Sequence, residues 1–78
     1  MSKNQRVPRI KSILADFKNL LLGVKGKSLT STKATEELGH IDKKIQAYGD
    51  DFGHKKTYLY TLVTFSKEAR DIIKSELG

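Results

Sequence analysis

The segment from Ile10 to Val24 constrains the fold most, because its apolar residues recur with the period of an α-helix. A chain of 78 residues buries only about 60% of its extended surface on folding, so it needs such a stripe for its own core. A basic amphipathic helix that lies on a membrane or in an acidic groove is the alternative interpretation. The stripe consists of Ile10, Ile13, Leu14, Phe17, Leu20, Leu21 and Val24.

Composition narrows the class of protein. The chain contains no cysteine, which excludes disulfides and thiolate metal sites, and this is compatible with the reducing cytoplasm that we expect as its location. No apolar run approaches the roughly 20 residues of a membrane span, so we expect no membrane partner. The length predicts a single domain over residues 10–78, preceded by a flexible basic arm over residues 1–9.

Positive charge is concentrated in the first half of the chain. Residues 1–35 contain eight Lys or Arg and one acid, whereas residues 36–78 contain seven bases and eight acids. A one-sided basic field attracts polyanions, whether nucleic acid, an acidic protein or an anionic membrane. A solvated basic face with no partner, and a frayed terminus in place of a functional arm, are the simpler alternatives.

The segment Ser31 to Tyr48 is predicted to form two short helices that meet at Gly39. The first is expected over Thr32 to Leu38, after side-chain oxygens that can cap it, and Gly39 suits the left-handed residue that ends a helix. The second is expected over Ile41 to Tyr48, with Gly49 as its stop. A plain helical hairpin, with the glycine as a simple cap, is the alternative.

The segment Thr57 to Phe65 is β-branched and aromatic throughout and predicts a strand. Its expected partner is Asp51–Phe52, through a tight turn over residues 53–56, with Leu29 as a further short strand. An exposed edge on this hairpin would lead to a homodimer by strand pairing. Ser66 is then expected to cap a last helix, Lys67 to Leu77.

This order of elements resembles a winged helix-turn-helix domain, as found in small phage and plasmid regulators and in chromosomal repressors. The residues that carry the resemblance are Ala34, Leu38, Gly39, Ile45 and Tyr48. The fold class that it implies is mainly α with a small β-hairpin (α+β), in the order helix, short strand, helix, turn, helix, hairpin, helix.

The resemblance implies sequence-specific binding to double-stranded DNA in transcriptional control, in association with the nucleoid and with a homodimer as the binding unit. Helix 41–48 would enter the major groove, where Gln bonds adenine and Lys bonds guanine or phosphate, and a basic wing would contact the backbone. Asp42 is discordant on such a face. The expected DNA-binding residues are Ser31, Thr32, Lys33, His40, Lys43, Lys44, Gln46, Lys55, Lys56, Lys25, Lys27, Arg6 and Arg9.

A protein partner is the alternative that the residues leave open. The chain would then be an interaction module, inhibitor or adaptor that acts through the aromatic strand 57–65 and the turn 50–52. RNA or ribosome binding, with exposed tyrosines of the strand stacking on bases, is a third alternative. We expect no enzyme activity, cofactor or metal, because no nucleophile–base set or phosphate-binding glycine loop occurs, and Asp50 and Asp51 lack further spaced ligands.

Overall fold

A computed structural model describes residues 6–52 and 56–78, and these form three α-helices. They are α1 (Arg6–Lys25), α2 (Ser31–Phe52) and α3 (Lys56–Leu77). The start of α1 contacts the end of α2 through Arg9 and Asp51, and the end of α1 lies near the end of α3, where Lys27 contacts Glu76. The helices therefore run up, down and up, with α1 parallel to α3, in a bundle of 39 × 18 × 16 Å.

The core is built from one stripe on each helix. On α1 and α2 its residues recur at alternating spacings of three and four, and on α3 the buried Ser66 completes the same spacing between Leu62 and Ala69. This spacing keeps one face of each helix turned towards the other two. Leu38 and Val24 have no exposed surface, and Ile13 and Leu62 are almost as deeply buried. The buried apolar residues are Ile13, Phe17, Leu20, Val24, Ala34, Leu38, Ile41, Ile45, Tyr48, Leu62, Ala69 and Ile73.

The predicted helix over Ile10 to Val24 is confirmed and lies inside α1. Four of its apolar residues are buried in the core, while Ile10 and Leu21 are partly buried against it. Leu14 remains 38% exposed. The stripe is therefore wider than the surface that the other two helices cover.

Hydrogen bonds define the connection between α1 and α2. Lys27 adopts a left-handed conformation (φ 60°), Ser28 N donates to Gly23 O at 2.9 Å, and Lys27 N donates to Val24 O at 3.1 Å. These two bonds form a Schellman motif that ends α1. Thr30 then caps α2, since its hydroxyl oxygen accepts a bond of 3.1 Å from Lys33 N.

The predicted division of this segment into two helices at Gly39 is wrong, because α2 continues without a break from Ser31 to Phe52. A glycine inside a helix costs about 1 kcal/mol relative to alanine. Full burial of one large apolar side chain contributes about 1.5–3 kcal/mol, and Leu38, Ile41 and Ile45 continue one buried stripe on both sides of the glycine. Gly49 does not stop the helix either; it is buried inside α2.

The predicted strand over Thr57 to Phe65 is also wrong, because this segment is the first half of α3. Its Leu59 and Leu62 share a helical face with Ala69 and Ile73, and burial of that face outweighs the β-propensity of the individual residues. Ser66 does not cap a helix but lies buried in the middle of α3.

The α+β class and its wing are therefore corrected to an all-α bundle over the described residues 6–52 and 56–78, in which no strand occurs. Asp51 and Phe52 are the last residues of α2, and Leu29 lies in the loop between α1 and α2. Without a strand in the described helices, the basis for a dimer by strand pairing falls away. Of the proposed turn over residues 53–56, residues 53–55 lie outside the described part, as do residues 1–5 of the expected arm, whose residues 6–9 belong to α1.

Candidate functional site

The residues expected to contact DNA do not share one face of α2. His40 lines a groove against α1, next to Asp16 and Asn19. Gln46 lines another groove on the side of α2 that faces α3. Lys43 is exposed between them. Because α2 is one helix packed on both flanks, no separate recognition helix projects from this part of the molecule.

Three of the expected phosphate-binding bases are held in ion pairs. Arg9 pairs with Asp51 and stacks over Phe52, with its guanidinium carbon 5.3 Å from the ring centroid. Lys27 lies 3.7 Å from a carboxylate oxygen of Glu76 and donates a bond of 2.6 Å to that residue's carbonyl oxygen. These contacts reduce the positive potential that the sequence predicts around the expected phosphate-binding bases.

Lys44 is the third base that is already engaged. Its ammonium group pairs with Asp16 and donates a hydrogen bond of 2.8 Å to the Ser12 hydroxyl, both on α1. A cation that bridges two helices in this way supports the packing of the bundle, and a phosphate would have to compete with Asp16 for it.

The remaining expected residues are scattered. Ser31, Thr32 and Lys33 are exposed in the first turn of α2, and Lys25 is exposed in the last turn of α1. Lys55 lies outside the described residues, and so do the side chains of Arg6 and Lys56, which begin α1 and α3.

Polar contacts also join α2 to α3. The buried Ser66 hydroxyl donates a hydrogen bond to Asp42, and Arg70 Nη2 lies 3.2 Å from the second carboxylate oxygen of Asp42. Asp42, which was discordant on a DNA-binding face, therefore has a structural role. The α2 helix is tied by ion pairs to both neighbours, and it covers one side of each.

An apolar groove runs along the side of the bundle that α2 does not cover, between α1 and α3. Two adjoining depressions form it, one near the start of the helices and one further along. The second has a volume of about 300 Å³. We call this surface the α1–α3 groove, and it is lined by Val7, Ile10, Leu14 and Leu21 of α1 and by Tyr58, Phe65 and Ile72 of α3, above Phe17 and Ala69.

Several lining residues are large, apolar and exposed, and they follow one another along the same groove instead of being scattered over the surface. Val7 is 55% exposed, Tyr58 50%, Phe65 39% and Leu14 38%. The rings of Phe65 and Phe17 pack edge to face, with ring centroids 6.1 Å apart and planes at 83°. This contact packs one side of the exposed Phe65 ring against the core.

The two edges of the groove differ in charge. Lys11, Lys18 and Lys25 follow one another on α1 at seven-residue intervals, and all three are exposed. We call this row the lysine edge. No ion pair joins any of the three to a carboxylate within residues 6–52 and 56–78. On the opposite edge, α3 contributes Glu68, which lines the groove across from Lys18.

Sequence reasoning missed this groove, although a signal for it was present. Apolar residues occur side by side on α1, as Ile13 with Leu14 and Leu20 with Leu21. Such pairs widen an apolar stripe beyond the arc that one neighbouring helix covers. The composition of segment 57–65 predicts a strand, and in a strand Tyr58 and Phe65 do not align with the side of α1 that α2 leaves exposed.

Other kinds of site find little support in the part of the chain that the structure describes. No three His, Asp or Glu side chains there come together in a group that could hold a metal ion. None of α1, α2 and α3 combines the length and apolar character that crossing a bilayer requires.

Comparison with known proteins gives no assignment, since neither a protein-family model nor a curated protein nor a solved structure matches this chain.

Proposed function

We propose that this protein is a small helical interaction module that binds a partner protein through the α1–α3 groove. The observation that carries the proposal is the row of exposed apolar side chains along this groove, of which Leu14, Tyr58 and Phe65 are the largest. Exposed apolar surface of this kind costs solubility and is retained mostly where it serves binding. The protein would act by recruiting or blocking its partner, as an adaptor or inhibitor does.

The shape of the groove favours an amphipathic helix as the occupant. Its walls are two parallel helices, and the row of side chains from Leu14 to Leu21 along α1 lies beside the row from Phe65 to Ile72 along α3. A third helix fits between two helices by placing its ridge in the furrow that they form. The docked helix would turn the three-helix bundle into a four-helix bundle, and its apolar face would cover the exposed row.

A selection with displayed peptides tests this proposal. Wild-type protein is used to select binders from a library of helical peptides, and each selected peptide is then measured against two variants. Leu14→Ser removes an apolar side chain from the groove, and Val63→Ser makes a similar change on the side of α3 that faces α2. The two residues are matched in exposure, at 38% and 39%, so their effects on stability should be similar.

We expect the selected peptides to lose roughly tenfold or more in affinity for Leu14→Ser and to keep their affinity for Val63→Ser. Equal losses for the two variants, or a selection that yields no binder, would contradict a helix-binding groove at this position. Thermal denaturation of both variants establishes that the comparison is made between folded proteins.

Nucleic acid is a second candidate, favoured by the three cations of the lysine edge, which form no ion pair with a carboxylate of the described residues. Lys11, Lys18 and Lys25 lie on one face at intervals of about 10 Å, a spacing that follows the rise of an α-helix. Binding of this kind would neutralise phosphates and would be strongly salt-dependent. A titration with random-sequence duplex DNA at two salt concentrations tests it, and a salt slope near zero would eliminate this candidate.

A further inference from the structure

We propose that the helix that docks in the α1–α3 groove is acidic, with carboxylates at seven-residue intervals along the flank that faces α1. This inference rests on the proposed function and adds the charge pattern of the partner to it. The apolar lining explains why a helix binds, whereas the two edges of the groove decide which helix binds.

The lysine edge supplies the first half of the pattern. Lys11 and Lys25 are separated by 14 residues, which is about 21 Å along a helix, so the row extends along much of α1. Arg9, Lys27 and Lys44 are already paired with carboxylates of this chain, but no described carboxylate pairs with the three lysines of the edge. A docked helix would bring its flanking residues alongside them, as the residues beside a coiled-coil seam do.

Glu68 supplies the second half. It lines the groove on the α3 side, while Lys18 lines it on the α1 side, so the two edges present opposite charges at the same level. A partner helix that matches both edges is acidic on one flank and carries a base near the middle of the other flank. This pattern fixes the direction of docking, because turning the helix around exchanges its two flanks.

A second copy of this chain is a poorer occupant. Each chain has a formal net charge of +6, so two copies repel each other. In a face-to-face dimer the lysine edge of one copy would meet either the lysine edge of the other or its α3 edge, where Glu68 lines the groove, so three lysines would face at most this one groove-lining acid. The charges favour a partner of opposite sign over self-association.

Two synthetic peptides test the inference. Each is about 21 residues long, which gives three heptads, and has leucine at the apolar positions and a hydrocarbon staple on its outer face to hold the helix. The first carries three glutamates at seven-residue intervals on one flank and a single lysine on the other. The second has lysines in place of the glutamates and a glutamate in place of the lysine. Fluorescence anisotropy gives both affinities for the full-length wild-type protein.

We expect the glutamate peptide to bind roughly tenfold more tightly than the lysine peptide, since each exposed ion pair contributes modestly and three act together. The preference should shrink when the salt concentration rises from about 0.05 M to about 0.5 M, because salt screens exposed charges.

Charge reversal supplies the matched control. The variant with Lys11→Glu, Lys18→Glu and Lys25→Glu should prefer the lysine peptide instead. A second variant, with Lys33→Glu, Lys43→Glu and Lys74→Glu, undergoes the same change in net charge at exposed positions outside the groove and should keep the wild-type preference. Lys74 matches Lys25 because each lies in the last turn of its helix.

The outcomes separate the two proposals. If both peptides bind equally and Leu14→Ser weakens both, the groove is a docking site and the acidic partner is wrong. If neither peptide binds, the interaction module itself is contradicted. If reversing the charge of the lysine edge abolishes binding to duplex DNA, and the two peptides bind with equal affinity, the edge contacts phosphate. That result would overturn this inference. Peptide-independent dimerisation that Leu14→Ser abolishes would identify a second copy as the occupant and would overturn it too.

Discussion

The rings of Phe17 and Phe65 meet edge to face across the seam between α1 and α3, with centroids 6.1 Å apart. Phe17 is 5% exposed and belongs to the core, whereas Phe65 is 39% exposed and belongs to the groove. One contact thus joins the part of the molecule that stabilises the fold to the surface that we propose for binding. Substitutions at these two positions should therefore have different effects.

Phe17→Ala should destabilise the protein by about 3–5 kcal/mol, because it leaves a cavity under both α1 and α3. A loss of this size is comparable to the whole stability of a small domain, so we expect little folded protein at 25 °C. Phe65→Ala should cost about 1–2 kcal/mol, since much of that ring is already in contact with water. The circular dichroism spectrum at 25 °C shows whether Phe17→Ala is folded, and urea denaturation measures the loss for Phe65→Ala. If Phe65→Ala is unfolded as well, Phe65 belongs to the core.

Gly39→Ala should stabilise the protein by about 0.5–1 kcal/mol. Gly39 is exposed in the middle of α2, and a Cβ atom added there would meet no atom within 4 Å, so alanine's higher helix propensity is gained without strain. If Gly39 were instead the left-handed residue of a turn, alanine would cost about 1–2 kcal/mol. The sign of the change in thermal midpoint therefore distinguishes a continuous α2 from a helix-turn-helix.

Gly23→Ala should have the opposite effect and destabilise the protein by about 1 kcal/mol. A Cβ atom at this position would lie 2.7 Å from Cδ1 and 2.9 Å from Cγ of Leu29, so the Leu29 side chain must shift from its packed position. Overpacking costs about 1–3 kcal/mol, which exceeds the gain of about 1 kcal/mol in helix propensity. In a Leu29→Ala background the overlap is absent, and there the same substitution should become stabilising. Thermal melts of the four proteins provide the comparison.

The hydrogen bond from Ser66 to Asp42 should appear as a coupling of about 0.5–1.5 kcal/mol in a double-mutant cycle. Ser66→Ala and Asp42→Ala each remove one partner, and the double variant removes both. Ser66 is 6% exposed, so its hydroxyl has little access to water that could replace the carboxylate. Additive effects of the two substitutions would show that the bond contributes nothing to stability.

The first helix can be predicted because its apolar residues follow the helical period from Ile10 to Val24, and no polar residue occupies a position of that stripe. The third helix is predicted only in its second half, Lys67 to Leu77, and that part is confirmed. The pattern does not extend further back because Ser66 occupies a core position and breaks the apolar pattern at that point. The segment before it, with Tyr58, Tyr60 and Val63, then satisfies a strand pattern equally well. The partner that makes a buried serine tolerable, Asp42, lies 24 residues away and becomes apparent once α2 and α3 are packed together.

The candidate site also depends on contacts between residues that are far apart in the sequence. A glycine such as Gly39 can end a helix, so the local sequence is compatible with a turn there. The helix continues because Leu38 and Ile41 belong to one apolar stripe that is buried in the core. The α1–α3 groove could not be located from the sequence, since its position depends on which flank of α1 is covered by α2. The sequence shows that α1 is basic. It does not show that Arg9 and Lys44 form ion pairs with carboxylates of this chain, while the lysines of the lysine edge remain exposed.

Chemical-shift mapping tests the central claim most directly. Uniformly ¹⁵N-labelled protein is titrated with a selected helical peptide, and the amide signals of every residue are followed. We expect the largest changes at Leu14, Leu21, Phe65 and Ile72, on the two walls of the α1–α3 groove. Changes centred on α2, at His40, Lys43 and Gln46, without changes in the signals of the groove residues, would contradict the account and would favour the residues that the sequence predicts to bind DNA.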